Sequence, residues 1–261
     1  MKPQTYSGYL HLDELLSLQQ PVTAKPEHDE MLFIVIHQVY ELWFKQMLHE
    51  LDRVRDLLER NATPPALHIF KRILTILKIQ VAQLDILETM TPLEFLSFRE
   101  RLESSSGLES YQFRELEFAL GMKNKKHLEP FTEGTEARTR LNTRYHAPSL
   151  WDQFLHYLAR EGYDIPGEVL DRDVAEPNPS SPEVQQVLVD VYQNNPQIAQ
   201  LAERLIDLDE GFQEWRYRHV KMAERTIGVK LGTGGTTGVQ YLVNTLFKPA
   251  FPDLWAIRAA L

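Results

Sequence analysis

Apolar residues recur at three- and four-residue steps along most of the chain. In EHDEMLFIVIHQVYELWFKQMLHELDRVRDLLERN they put Ile36, Tyr40, Trp43, Met47, Leu51, Val54 and Leu58 on one helical face. Phe33, His37, Phe44 and Leu48 fall on an adjacent face. Asn61-Ala62-Thr63-Pro64-Pro65 ends this run, and a second helix is expected from about Ala66 to Thr89. PLEFLSFRERL, the turn Ser104-Ser105-Ser106-Gly107 and LESYQFRELEFALG follow. GMKNKKHLEPFTEGTEARTR breaks the rhythm and reads as a loop or short-helix insertion. Ser149 is a candidate N-cap for LWDQFLHYLAREG, and Ser181 caps a helix with Pro182 in its first turn. A last long helix is expected from about Gln197 to Ile227, ended by Gly228, and TTGVQYLVNTLF reads as one more. No alternation is long enough for a sheet, so the pattern predicts an all-α fold, a bundle of long antiparallel helices with irregular connections.

Composition narrows the function. The 261 residues suffice to bury a sizeable core, and 43% hydrophobic with 25% charged residues is ordinary for a globular protein. A net charge of -9 argues against nucleic acid or an anionic membrane as partner. Without cysteine there are no disulfides, thiolate ligands, covalent haem attachment or cysteine nucleophile. Neither a signal-peptide pattern nor a run of ~20 apolar residues is present, so no membrane association and a cytoplasmic location are expected.

The candidate chemistry lies in one loop and two histidines. GTGGTTG, from Gly232 to Gly238, lacks the lysine of a Walker loop and has Thr237 where a dinucleotide fingerprint needs glycine. A helix precedes it rather than a strand, which leaves either a connector or a loop whose backbone closely approaches a ligand, with Thr233 supplying a hydroxyl. Of nine histidines, His28, His49 and His127 read as surface residues, whereas His37 and His219 stand on strongly apolar faces. Such a histidine is a hydrogen-bonded core residue or a ligand. No Glu-x-x-His occurs, which argues against a di-iron centre, while histidine ligation of a non-covalent haem stays open.

Four segments then carry a resemblance: TYSGYLHLDELLSLQQP, HDEMLFIVIHQVYELWFKQMLHEL, MTPLEFLSFRERLESSSGLESYQFRELEF and WRYRHVKMAERTIGVKLGTGGTTGVQYL. In this order and spread from Thr5 to Leu242, they resemble the signature blocks of the bacterial tryptophan 2,3-dioxygenase family. The resemblance implies a single domain over residues 1–261, a homotetramer, and one non-covalent haem b per subunit. It implies insertion of both atoms of O2 across the C2–C3 bond of L-tryptophan, giving N-formyl-L-kynurenine, the first step of tryptophan degradation through kynurenine. Under it His219 is the proximal haem ligand, and His37 hydrogen-bonds the indole N–H. Arg99 pairs with the substrate carboxylate, and Thr233 meets its ammonium and carboxylate groups. Phe33, Phe95 and Leu102 line the indole pocket, with Ser106 and Gly107 on the distal side of the haem. Phe95 departs from relatives that carry tyrosine, so no hydroxyl contact comes from that position. Tyr6, Tyr9 and Leu10, within residues 1–25, are implied to cap a neighbouring subunit's site.

Overall fold

The computed structural model describes residues 4–23, 27–102, 107–228 and 239–261. Every regular element among them is helical. The chain opens with two short helices, α1 (Tyr6–Leu10) and α2 (Leu12–Leu15), and α1 is capped by the Thr5 hydroxyl, which accepts from the Gly8 amide. Then come α3 (His28–Glu59), α4 (Thr63–Leu87), α5 (Pro92–Arg99) and α6 (Tyr111–Ala119). After them run α7 (Glu136–Tyr145), α8 (Leu150–Arg160), α9 (Gly167–Leu170), α10 (Pro182–Asn194) and α11 (Pro196–Ile227). The chain closes with α12 (Val239–Val243) and α13 (Pro252–Ala256).

The three longest helices make the frame, and the polar contacts between them give its sense. Tyr40 bonds the Gln80 carbonyl and Arg72 pairs with Glu50, so α4 returns antiparallel to α3. Leu77 packs on Gly211 and Arg218 reaches Asp85, so α11 advances along α4 in the same direction and runs antiparallel to α3. Apolar positions spaced for one helical face are buried where these three meet, among them Ile36, Tyr40, Phe44, Met47 and Leu51 of α3.

Several boundaries follow from capping chemistry. Thr91 and Ser149 each form a capping box, with Glu94 and Asp152 respectively, and Ser181 accepts from the Val184 amide. The expected start of the second helix moves from Ala66 to Thr63, because Pro64 and Pro65 fit its first turn, where no amide donor is needed. α11 begins at Pro196 behind the Asn195 cap and stops at Gly228, whose φ of 58° is a left-handed value that favours glycine. The irregular middle resolves into a turn of 3-10 helix over Lys125–Leu128 and α7. The Lys123 ammonium caps the end of α7, donating to the carbonyls of Arg144, Tyr145 and Ala147 at 2.8–2.9 Å. The helix expected over TTGVQYLVNTLF is shorter than its pattern: α12 covers Val239–Val243, and the chain leaves helical geometry by Phe247, whose φ is 57°.

One end of the bundle is filled by its own side chains. Trp151, Phe154 and Tyr157 of α8 pack there, and Phe251 stacks against Trp151 with ring centroids 5.8 Å apart. The buried Asp209 carboxylate draws the C-terminal segment onto α11, accepting from the Ala250 and Phe251 amides and the Trp255 indole. No described helix is long and apolar enough to cross a membrane.

Candidate active site

The opposite end holds a cavity of about 290 Å³ between α3, α4, α5, α6, α11 and α12. Its walls are largely apolar, with Phe44, Leu84, Phe113, Val220, Ala223 and Leu242 among them. His37 faces it from α3, Phe95 and Arg99 from α5, Gly107 from the segment before α6, and His219 from α11. Five of the residues singled out in the sequence therefore meet in one space, drawn from stretches up to 182 positions apart.

Local structure fixes how His37 is presented. Its Nδ1 lies 2.7 Å from the carbonyl oxygen of Phe33, one helical turn back. A carbonyl only accepts, so Nδ1 carries the proton and Nε2 is left as an acceptor. The Phe33 ring packs on the imidazole at 4.1 Å between centroids, and on Phe95 at 5.8 Å. Phe33 thus acts from behind His37 and is not part of the cavity lining. His37 keeps free ring surface, and that surface opens onto the cavity. Burial lowers its pKa, opposed by the Phe33 carbonyl and the Glu41 carboxylate, and the ring is neutral at pH 7.

His219 is set differently. Burial, followed by the proximity of His37, brings its pKa down to about 4, so it too is a neutral imidazole. Its ring stacks nearly parallel on Trp215, one turn earlier in α11, with centroids 5.2 Å apart and planes inclined by 14°.

A polar corner that no local pattern announces completes the cavity. The buried Glu117 carboxylate accepts from Arg114 Nη1 and from Arg216 Nη2, each at 2.6 Å. The His127 ring approaches it at 3.3 Å and also meets the Tyr241 hydroxyl of α12 at 3.4 Å. Burial alone would raise the Glu117 pKa; Arg114, His127 and Arg216 together bring it down to about 2. Arg216 also donates to the Thr245 carbonyl, fastening the segment after α12 beside the cavity. The expectation for His127 is corrected here: it is mostly buried against Glu117 and Phe118, because the 3-10 turn folds it inward. Arg114 and Glu117, three residues apart, read as a solvated helical ion pair until Arg216 arrives from 99 residues away.

The remaining expected residues divide plainly. Leu102 packs against the core rather than lining the cavity. Tyr6, Tyr9 and Leu10 lie outside this chain's own cavity, and Tyr6 and Tyr9 are 77% and 66% exposed. Ser106 and Thr233 lie outside the described residues.

The donor set suits a haem. Among the described residues no cluster of three His, Asp or Glu side chains could hold a bare metal ion. A porphyrin iron brings most of its own ligands and takes one neutral imidazole from the protein. His219 offers that imidazole on an apolar wall, with His37 facing the same space.

Comparison with known proteins agrees. The family profile described as tryptophan 2,3-dioxygenase matches residues 1–146 and 185–261. A tryptophan 2,3-dioxygenase from Herpetosiphon aurantiacus is 61% identical over 257 residues, 98% of either chain. One from Anaeromyxobacter sp. strain K is 54% identical, covering 98% of this chain and 96% of its own, and one from Caulobacter vibrioides is 44% identical over 98% of both.

Proposed function

The chain belongs to the tryptophan 2,3-dioxygenase family, and from that premise we propose how its cavity serves the oxidation of L-tryptophan by O2. It is an oxidoreductase of the dioxygenase class, haem-dependent as the family is, acting in the kynurenine route. In our reading one haem b per subunit is held non-covalently, with His219 as its proximal ligand. That haem supplies the activation of O2. The chain's own groups bind, orient and desolvate the amino acid.

His37 Nε2 accepts the indole N–H. The proton of an indole is far too weakly acidic for a neutral imidazole to remove it outright, so the role is orientation rather than base catalysis. Arg99 offers a planar fork to the substrate carboxylate, whose burial without a partner would cost several kcal/mol. Thr233, Ser106 and Gly107 complete the polar contacts around the amino-acid head group. Phe95, backed by Phe33 and Leu102, walls the indole, whose C2–C3 bond is cleaved to give N-formyl-L-kynurenine. The whole chain, residues 1–261, acts as one domain in a cytoplasmic homotetramer. Its exposed N-terminal apolar residues, Tyr6, Tyr9 and Leu10, reach the neighbouring subunit's cavity.

The observation that carries this reading is the convergence of a proton-donating Nδ1 on His37, an acceptor Nε2, Arg99 and His219 on one apolar cavity. The test is to reduce the purified protein, record its spectrum, and add L-tryptophan with air. A Soret band and formation of N-formylkynurenine are expected. A Soret band without product makes the protein a haem carrier, and a colourless protein removes the haem reading altogether.

A further inference from the structure

Histidines that ligate a metal usually donate their second ring N–H to a carboxylate, a carbonyl or water, which fixes both tautomer and ring rotation. His219 is held by other means. Unlike the His37 ring, its imidazole shows no hydrogen bond to any described residue. Its ordered neighbour is Trp215, stacked face to face at 5.2 Å and 14°. Trp215 is itself boxed in: Phe113 at 5.1 Å, Tyr40 at 6.2 Å, and Phe44 and Phe212 at 6.3 Å surround its ring. Its buried indole N–H makes no hydrogen bond of ordinary geometry, although the Tyr40 hydroxyl lies nearby. This large ring is packed on several sides and lies against the one side chain whose rotation matters most.

We infer that Trp215 is a positioning residue for this enzyme: its stacking, rather than a hydrogen bond at Nδ1, sets the rotation of the His219 imidazole toward the haem. The inference rests on His219 being the haem ligand. Two consequences follow. The imidazole is a weaker donor than one polarised by a carboxylate, which favours the ferrous iron that binds O2. Removing the stack frees the His219 ring to rotate, because the Trp215 face no longer restrains it.

Resonance Raman spectroscopy of the ferrous haem-loaded enzyme tests this directly. An iron–imidazole stretching band present in the unaltered protein and lost in His219→Ala establishes the ligand; its absence from the unaltered protein overturns the ligand reading itself, whatever Trp215 does. Given the band, its frequency is expected at the low end, as for an imidazole whose Nδ1 has no carboxylate acceptor. A high, imidazolate-like frequency overturns the inference even if no Trp215 variant folds. In Trp215→Leu the band is expected to shift and broaden, and haem to pass to apomyoglobin about two- to ten-fold faster, the range expected for one aromatic pair. Trp215→Phe, which keeps a ring, is expected to hold the single narrow band. kcat is expected to fall in the leucine variant and to hold in the phenylalanine variant. A leucine variant with an unchanged band shows the stack to be packing alone and sinks the proposal.

Discussion

His37 and Phe33 form one unit: the imidazole Nδ1–H donates to the Phe33 carbonyl at 2.7 Å while the Phe33 ring supports the imidazole face at 4.1 Å. Backbone geometry thus chooses the tautomer, and the acceptor nitrogen is the one left for the cavity. Replacing His37 by alanine is expected to lower kcat/KM roughly ten-fold, the worth of one hydrogen bond and its alignment, while leaving haem content unchanged. His219→Ala is expected to lose haem. Absorbance of the two purified variants, alongside steady-state kinetics, separates these outcomes; turnover abolished in His37→Ala would point to a proton-transfer role instead.

Arg99 makes a second prediction, about selectivity. Tryptamine carries the indole and amine but no carboxylate, so it offers the Arg99 guanidinium no anionic group to read. The unaltered enzyme is expected to prefer tryptophan over tryptamine, and Arg99→Ala to lower kcat/KM for tryptophan by roughly 10- to 100-fold with little change for tryptamine. Equal losses on both substrates would mean that Arg99 shapes the cavity without reading the carboxylate.

The N-terminal tyrosines supply a third test. Tyr6 and Tyr9 are highly exposed on the single chain, as are Leu16, Leu18 and Val22 further along the same N-terminal segment. A Tyr6→Ala, Tyr9→Ala double variant should bind haem normally yet show a raised KM. If the tyrosines act on a neighbour, co-assembly with an Arg99→Ala chain returns activity that neither protein has alone. No gain on mixing confines their influence to their own subunit.

Glu117 gives the pH dependence. Its folded pKa of about 2 lies below the ordinary 4.5, so its contribution to stability is complete above about pH 4.5 and is lost as pH falls toward 2. Glu117→Gln leaves the buried Arg114 and Arg216 without their counter-charge and is expected to cost roughly 3–5 kcal/mol at pH 7. Urea unfolding of both proteins at pH 7 and pH 3 measures it: the gap between them should narrow at the lower pH. A gap independent of pH would assign the loss to packing.

These contrasts show what local sequence carries. The helices were legible because their apolar faces repeat at helical spacing, and the capping serines because one hydroxyl serves one nearby amide. His37 and His219 stood out as polar residues on apolar faces. Glu117 and Arg216 did not, since their pairing depends on how α6 meets α11, a relation no window of sequence contains. His127 was misread for the same reason: its partners, Glu117 and Tyr241, are 10 residues before it and 114 after it. Trp215 packs against the core, and its parallel face against His219 gives it a second task that spacing does not show.

The bundle is also lopsided in a way that bears on its life before the cofactor arrives. α3 and α11 each run from an end closed by tryptophan, phenylalanine and the Asp209 clamp to an end that borders open space. A newly made chain therefore carries a gradient of order along the same two helices: amides near Leu51 and Leu205 exchange slowest with solvent and those near His37 and His219 fastest. Haem bound in the cavity would cover its apolar walls, so its arrival flattens that gradient, and heat tolerance rises with haem concentration as it would for any ligand bound only by the folded state.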